Sequence, residues 1–297
     1  MGDTSIKLVS VVLPTHNRAD MLKRAIQSIL EQNYAEIEIL VVADNCSDHT
    51  EDVVSSFNDP RIIFLPQPVN VGGAEARNIG IRRAQGYYVA FLDDDDQWLE
   101  GKLFEQIQLL EADSDVAIAT CNYILDHGTK QVHMLNPYTE ITLSDLLFDN
   151  YCGSFSFAMT KREYIGDIEI DPRLRASQDW DFWIKILSQN QQKAKVVPKL
   201  LGRYYAEHED KITNKTRNRT ISHLLLMRSH WGLLGNEHKQ NMLYRLMRLK
   251  RKSHFIKMNF WDRLKVVKIE MHYFRHSKRG SKRHNYLIIM RYLLPRF

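Results

Sequence analysis

The chain has 297 residues and a mass of 34.9 kDa, enough for one large domain or one domain with an appendage. With 44% hydrophobic and 10% aromatic residues it can bury a core, which excludes a disordered chain, and its three cysteines (Cys46, Cys121, Cys152) make neither a disulfide framework nor a zinc site. The net charge of +5 is uneven: residues 245–297 hold 16 Lys and Arg against Asp262 and Glu270, leaving −9 for residues 1–244.

The first half alternates strand and helix patterns. "KLVSVVLP" is a continuous β-rich run of the kind that forms a strand buried on both faces. Leu22, Ala25, Ile26, Ile29 and Leu30 then fall on one face of a helix, with Asn17 as its candidate N-cap and Asp20 three residues later. "IEILVVAD" reads as a second buried strand, "NCSDHT" as a turn, "TEDVVSSF" as a short helix and "RIIFLPQ" as a third strand. Gly72-Gly73 opens a helix over "AEARNIGIRRAQ", and "YYVAFLD" is a fourth strand that delivers the run Asp93–Asp96 at its end. Such repeats predict an α/β fold with a mostly parallel sheet and helices on both faces, where ligands bind beyond the carboxyl ends of the strands. Thr15-His16-Asn17, Asp44-Asn45 and Asp93–Asp96 all lie at such ends.

The second half is less regular. "VAIATCNYIL" and "GSFSFAMT" read as strands, "TLSDLLFDN" as a short helix, and "KVVPKLLGRYYAEHED" as extended. "SQDWDFWIKILSQN" reads as a helix with Ser177 near its cap and Trp180, Trp183, Ile184 and Leu187 on one side. From about Thr220 the chain turns helical and basic, so the expected division is a domain over residues 1–215 and a basic helical region over 216–297. The start "MGDTSIK" lacks the basic region of a signal peptide, Ile6 breaks the myristoylation pattern, and no apolar run approaches the roughly 18–20 residues of a membrane span. The expected location is cytoplasmic, or peripheral on the inner face of the cytoplasmic membrane.

Asp93 and Asp95 share one side of an extended segment, and paired carboxylates suit a hard divalent cation, Mg²⁺ or Mn²⁺. The plainer reading is a solvated acidic loop before a helix. Asp44 can accept hydrogen bonds from a base or ribose, or serve an Asx-turn in the loop that follows it. Gly72-Gly73 permits close approach of backbone to phosphate, although neither a P-loop nor a GxGxxG fingerprint is present. Asp179 and Asp181 sit beside two tryptophans, whose bulk can raise the basicity a general base needs; the alternative is a pair of acids at a helix N-terminus with the tryptophans in the core. His208 in "AEHED" is either a metal or phosphate ligand or a surface residue.

Taken together, "VSVVLPTHNR", "ILVVADNCSDHT", "NVGGAEARNIGI", "YYVAFLDDDDQW" and "SQDWDFWIKI" resemble the inverting family 2 glycosyltransferases over residues 7–210 and in the same order. Each motif is weak alone, and five in sequence are specific. The resemblance implies a nucleotide-diphospho-sugar transferase (GT-A) fold, Rossmann-like, here with the basic helical extension. It implies that Pro14, Thr15, His16, Asn17, Asp44, Gly73, Arg77 and Asp94 belong to the donor nucleotide site, with Asp94 and Asp96 also supporting the loop. Asp93 and Asp95 become the DXD pair that holds Mn²⁺ or Mg²⁺, Asp179 the catalytic base and His208 a residue near the metal or diphosphate. Gln178 departs from the family, which has Glu before the base, and Glu100 stands where Pro is common.

The implied reaction moves a sugar from a nucleotide-diphospho-sugar, a UDP-sugar above all, to a hydroxyl of a glycan or lipid-linked acceptor in bacterial surface polysaccharide synthesis. Two readings compete: a sugar-phosphate nucleotidyltransferase, against which stands the lack of a Gly-rich N-terminal signature with a lysine, and an inactive binding subunit, against which stand Asp44, Asp93, Asp95 and Asp179. The basic tail interleaves Phe260, Leu264, Val267 and Met271 at helical spacing with Lys and Arg, a pattern that lies on anionic membranes, covers a helical subdomain or meets an acidic partner. Basic charge alone gives no reason to expect nucleic acid.

Overall fold

The computed structural model describes residues 6–206, 216–242 and Arg245, so His208 and nearly all of the basic tail lie outside the described residues. The chain divides into two compact units, Met1–Asp210 and Lys211–Phe297. Of the second unit the described part includes the helix Thr216–Ser229. Among the described residues no helix is long and apolar enough to cross a membrane.

The first unit begins with the expected repeats. Strand β1 (Val9–Thr15), helix α1 (Ala19–Leu30), β2 (Ile37–Asp44), α2 (Thr50–Ser56), β3 (Ile62–Gln67), α3 (Gly73–Arg83) and β4 (Tyr88–Phe91) follow one another. Strands β3, β2, β1 and β4 lie side by side and parallel. β1 and β2 are buried along their whole length, which is why their sequences are apolar on both faces. Val9, Val11 and Leu13 join Leu22, Ala25, Ile26 and Ile29 of α1 in one core cluster. Val12, on the opposite face, meets α3 so closely that a Cβ on Gly80 would collide with it. The period-two alternation of β1 thus recruits helices to both faces.

The remaining elements are β5 (Asp96–Trp98), α4 (Lys102–Ala112), β6 (Val116–Asp126), β7 (Gln131–Met134), β8 (Glu140–Ile141), α5 (Leu143–Phe148), β9 (Met159–Lys161), α6 (Arg162–Ile165), α7 (Gln178–Asn190) and β10 (Lys193–Tyr205). They extend the sheet to ten strands among the described residues, eight of them in the order β3-β2-β1-β4-β9-β6-β10-β5, with β7 paired to β6 and β8 to β10. β9 runs antiparallel to β4 and β6, and β5 antiparallel to β10, so the second half of the sheet is mixed where the first is parallel.

Three local expectations change. Asn17 does not cap α1: it lies at φ 52°, and the Ala19 N–H is taken at 3.1 Å by Asp48 from the loop after β2. "GSFSFAMT" is not one strand, because Phe155–Phe157 form a turn of 3-10 helix before β9. The aspartate run is a turn rather than an extended segment, closed by the Asp96 N–H to the Asp93 carbonyl at 3.0 Å.

Candidate active site

That turn decides which carboxylates meet. One oxygen each of Asp93, Asp95 and Asp96 lies within 4.8 Å of the others, so Asp96 joins the pair that alternation alone selects. Three carboxylate oxygens at the end of a buried strand form the hard, all-oxygen donor set that Mg²⁺ and Mn²⁺ prefer. Ser156 organises the turn from the 3-10 segment: its hydroxyl accepts the Asp93 N–H at 3.1 Å and donates to Asp96 at 2.6 Å. Arg24 of α1 donates to the Asp95 carbonyl at 3.0 Å, with its guanidinium 3.9 Å over the Tyr205 ring. Neither Ser156 nor Arg24 carries a sequence signal, because both act by tertiary placement.

Asp94 points the other way. Its carboxylate accepts the Thr15 hydroxyl at 2.8 Å and pairs with Arg18 at 3.0 Å, which ties the turn to the end of β1. Burial pushes its carboxyl up to about 6 despite the Arg18 charge. Pro14 and Thr15 are buried in β1, and Pro14 pairs with Val42 beyond the last β1–β4 register pair, Val12 with Phe91. His16 is exposed and donates Nδ1–H to the Asp44 carbonyl at 2.5 Å, since a carbonyl only accepts. Asn17 accepts the Ser47 N–H at 2.7 Å, and Cys46 lies against the Asn17 amide at 3.5 Å.

Asp44 reaches across to the glycine loop. Its two oxygens accept the backbone N–H groups of Val71 at 2.6 Å and Gly72 at 2.9 Å, so it serves neither an Asx-turn nor a cap in its own loop. Gly72 adopts φ 83°, a left-handed conformation that side chains disfavour, and Gly73 starts α3 behind it. Each Asp44 oxygen retains a lone pair for a further donor.

Arg77, one turn into α3, joins the halves of the site. Its guanidinium pairs with Asp93, donates to the Gly73 carbonyl at 2.9 Å and to Gln178 at 3.2 Å, and lies 4.8 Å over the Phe155 ring. Gln178 begins α7 and brings Asp179 with it. Burial pushes the Asp179 carboxyl up to about 6, Asp93 raises it further, and the Trp180 N–H at 2.8 Å opposes the rise. Asp181 is 1% exposed and pairs with Lys185 at 2.7 Å along the same helix, so the two acids of "QDWDFW" have different surroundings. Trp180 and Trp183 are core residues. Tyr204 of β10, opposite Asp96 in register, has its hydroxyl pushed up by burial and by Asp96, Asp95, Asp93 and Asp179.

The family model for glycosyl transferase family 2 matches residues 10–169, more than half of the chain, a span that includes Thr15, Asp44, Arg77 and the carboxylate turn and ends before Gln178 and Asp179. The chain belongs to glycosyl transferase family 2. It is similar, at 32% identity over 183 residues, to the putative teichuronic acid biosynthesis glycosyltransferase TuaG of Bacillus subtilis, covering 61% of this chain and 72% of that protein. It is 29% identical to the Escherichia coli UDP-Glc:alpha-D-GlcNAc-diphosphoundecaprenol beta-1,3-glucosyltransferase WfaP, covering 70% of this chain and 80% of that one. Among solved structures it resembles S. aureus TarS 1-349 in complex with UDP-GlcNAc, with a TM-score of 0.66, 17% identity and coverage of 88% and 79%. The fold is therefore the GT-A fold of this family, and the chain is a glycosyltransferase. Family membership sets the nucleotidyltransferase reading aside.

Proposed function

We propose that this family 2 enzyme is a metal-dependent inverting glycosyltransferase that uses a nucleotide-diphospho-sugar donor, with Asp179 as the base. The observation that carries the reading is Arg77, which bonds both Asp93 of the carboxylate turn and Gln178 beside Asp179, so that a donor diphosphate and an acceptor hydroxyl would meet in one place. Asp93, Asp95 and Asp96 would hold Mn²⁺ or Mg²⁺, and His208, outside the described residues, is a further candidate ligand. When bound, such a cation offsets the charge that develops on the departing nucleoside diphosphate.

The protein's own residues account for the other requirements. Thr15, His16, Asn17 and Asp44 rim the ends of β1 and β2, where a nucleotide lies in sheets of this kind, and the Asp44-pinned loop presents backbone beside Gly73. Pro14 and Asp94 support that rim from within, through the strand and through Thr15 and Arg18. Asp179 is ionised at neutral pH yet more basic than an exposed carboxylate, which suits removal of a proton from an acceptor hydroxyl as that oxygen attacks the anomeric carbon. With Asp181 committed to Lys185, Asp179 is left as the one base of this motif, which fits a single displacement with inversion.

A UDP-sugar donor and a lipid-linked acceptor in bacterial polysaccharide synthesis are supported by the named substrates of WfaP and the pathway named for TuaG. A lipid-linked acceptor would also give the basic tail a use on the inner face of the cytoplasmic membrane. Incubating the chain with UDP-, GDP- and dTDP-sugars and Mn²⁺ tests the reading by donor consumption and transfer. Consumption of none, with or without Mn²⁺, rejects it and leaves the inactive binding subunit.

A further inference from the structure

Arg77 has more to do than bind a donor. In the structure one terminal nitrogen of its guanidinium is committed to Asp93, a carboxylate that a divalent cation would also claim. The other terminal nitrogen holds the Gly73 carbonyl and the Gln178 side chain, both neutral acceptors. Its Nε is buried with no acceptor among the described residues, so the guanidinium is incompletely satisfied where it stands. The Phe155 ring lies 4.8 Å beneath the group, a flat support across which a guanidinium can turn without losing its stacking.

Gln178 is fixed by its own bonds. Its amide nitrogen donates to the Leu174 carbonyl at 2.6 Å while its oxygen accepts from Arg77. Only an amide in this orientation satisfies both partners; a glutamate could not donate to Leu174 and would take up the positive charge of Arg77. The residue that departs from the family pattern therefore leaves Asp93 as the carboxylate that pairs directly with Arg77 among the described residues.

Resting on the donor-site reading above, we propose that Arg77 is a counter-ion that changes partner, with Gln178 as its neutral pivot. Before loading, Arg77 neutralises Asp93. When a divalent cation takes Asp93, the released guanidinium turns to the donor diphosphate, and the amide of Gln178 keeps it free to do so. Arg77 and Gln178 thereby couple cation uptake to diphosphate binding, and both are positioning residues whose effect reaches beyond turnover.

Two binding measurements on the full chain test this: Mn²⁺ alone, followed by the spin resonance of free Mn²⁺, and UDP and GDP in the presence of Mn²⁺, followed by calorimetry. Arg77→Met should bind Mn²⁺ alone several-fold more tightly and the nucleoside diphosphate at least tenfold more weakly. Gln178→Glu should shift both in the same opposed directions with Arg77 still present. In an Asp93→Asn background, Arg77→Met should give no further tightening of Mn²⁺, because the competition acts through Asp93. Arg77→Lys, which keeps the charge, guards against misfolding and should lie between wild type and Arg77→Met in both measurements. Losses of both affinities together, no change in either, or equal tightening in the Asp93→Asn background would overturn the proposal. Wild-type protein that bound neither Mn²⁺ nor nucleotide would instead reject the donor-site reading itself.

Discussion

Holding a carboxylate half-buried at the start of α7 costs stability, and at Asp179 that cost has a sign that can be worked out. Its carboxyl lies at about 6 in the fold, against about 3.9 in an unfolded chain, so the folded state binds more protons between those values. Stability therefore falls as pH rises from about 4 to about 6 and levels off above. Asp179→Asn, which keeps an acceptor for the Trp180 N–H, should be more stable than wild type by about 1–2 kcal/mol at pH 8, after discounting for partial solvation. Melting curves should show that advantage disappearing near pH 4. The same variant should lose kcat by orders of magnitude while keeping Mn²⁺-dependent nucleotide affinity nearly intact. As the base in the free enzyme, Asp179 should also make kcat/KM rise with pH through about 6 and then level. Retained turnover in the variant would remove it from that role. At the other end of the site, Asp95→Ala should weaken Mn²⁺-dependent binding of UDP by more than about 100-fold. Equal UDP affinity with and without Mn²⁺ in wild type would contradict a metal role for the cluster.

At the scale of elements, the site is only as ordered as the strands behind it. Gly202 of β10 lies against Phe157, and a Cβ there would come within 2.6 Å of the ring, which is stacked on Tyr123 at 4.2 Å and cannot retreat freely. Gly202→Ala should cost about 1–3 kcal/mol of stability. Because Ser156, next to Phe157, holds both the Asp93 N–H and the Asp96 carboxylate, the variant should also bind Mn²⁺ more weakly. Thermal melts and a Mn²⁺ titration on one preparation check both effects. The first four strands were legible as apolar, β-rich runs bounded by turn residues, α1 and α7 by apolar residues on one helical face, and α3 by the glycine pair that opens it. β5, β7 and β8 span only two to four residues each and owe their pairing to neighbours, which no local pattern announces. The cap of α1 shows the same limit: Asn17 has the right chemistry and spacing, but Asp48 arrives from another loop and takes the Ala19 N–H.

Across the whole molecule the charge is divided, with a surplus of acid before residue 245 and of base after it. If the basic segment serves a lipid-linked acceptor, the full chain should float with anionic vesicles and not with zwitterionic ones, and added salt should release it, since each basic residue near such a surface contributes roughly 1 kcal/mol. Equal flotation with both vesicle types would discard the membrane role.

The sequence by itself determined the family, the parallel half of the sheet and the strand ends at which Thr15, Asp44 and Asp93 would gather, because long apolar periodicities and ordered motifs are local properties. It also singled out Gln178 as a departure without saying what it does. Tertiary structure alone decided that the aspartate run is a turn, which adds Asp96 to Asp93 and Asp95 and sends Asp94 to Arg18. It alone placed Asp44 on the glycine loop, separated Asp179 from Asp181, and set Arg77 between Asp93 and Gln178. The physical reason is common to all of them: a carboxylate's role follows from the donors and the burial around it, and residues distant in the chain supply both.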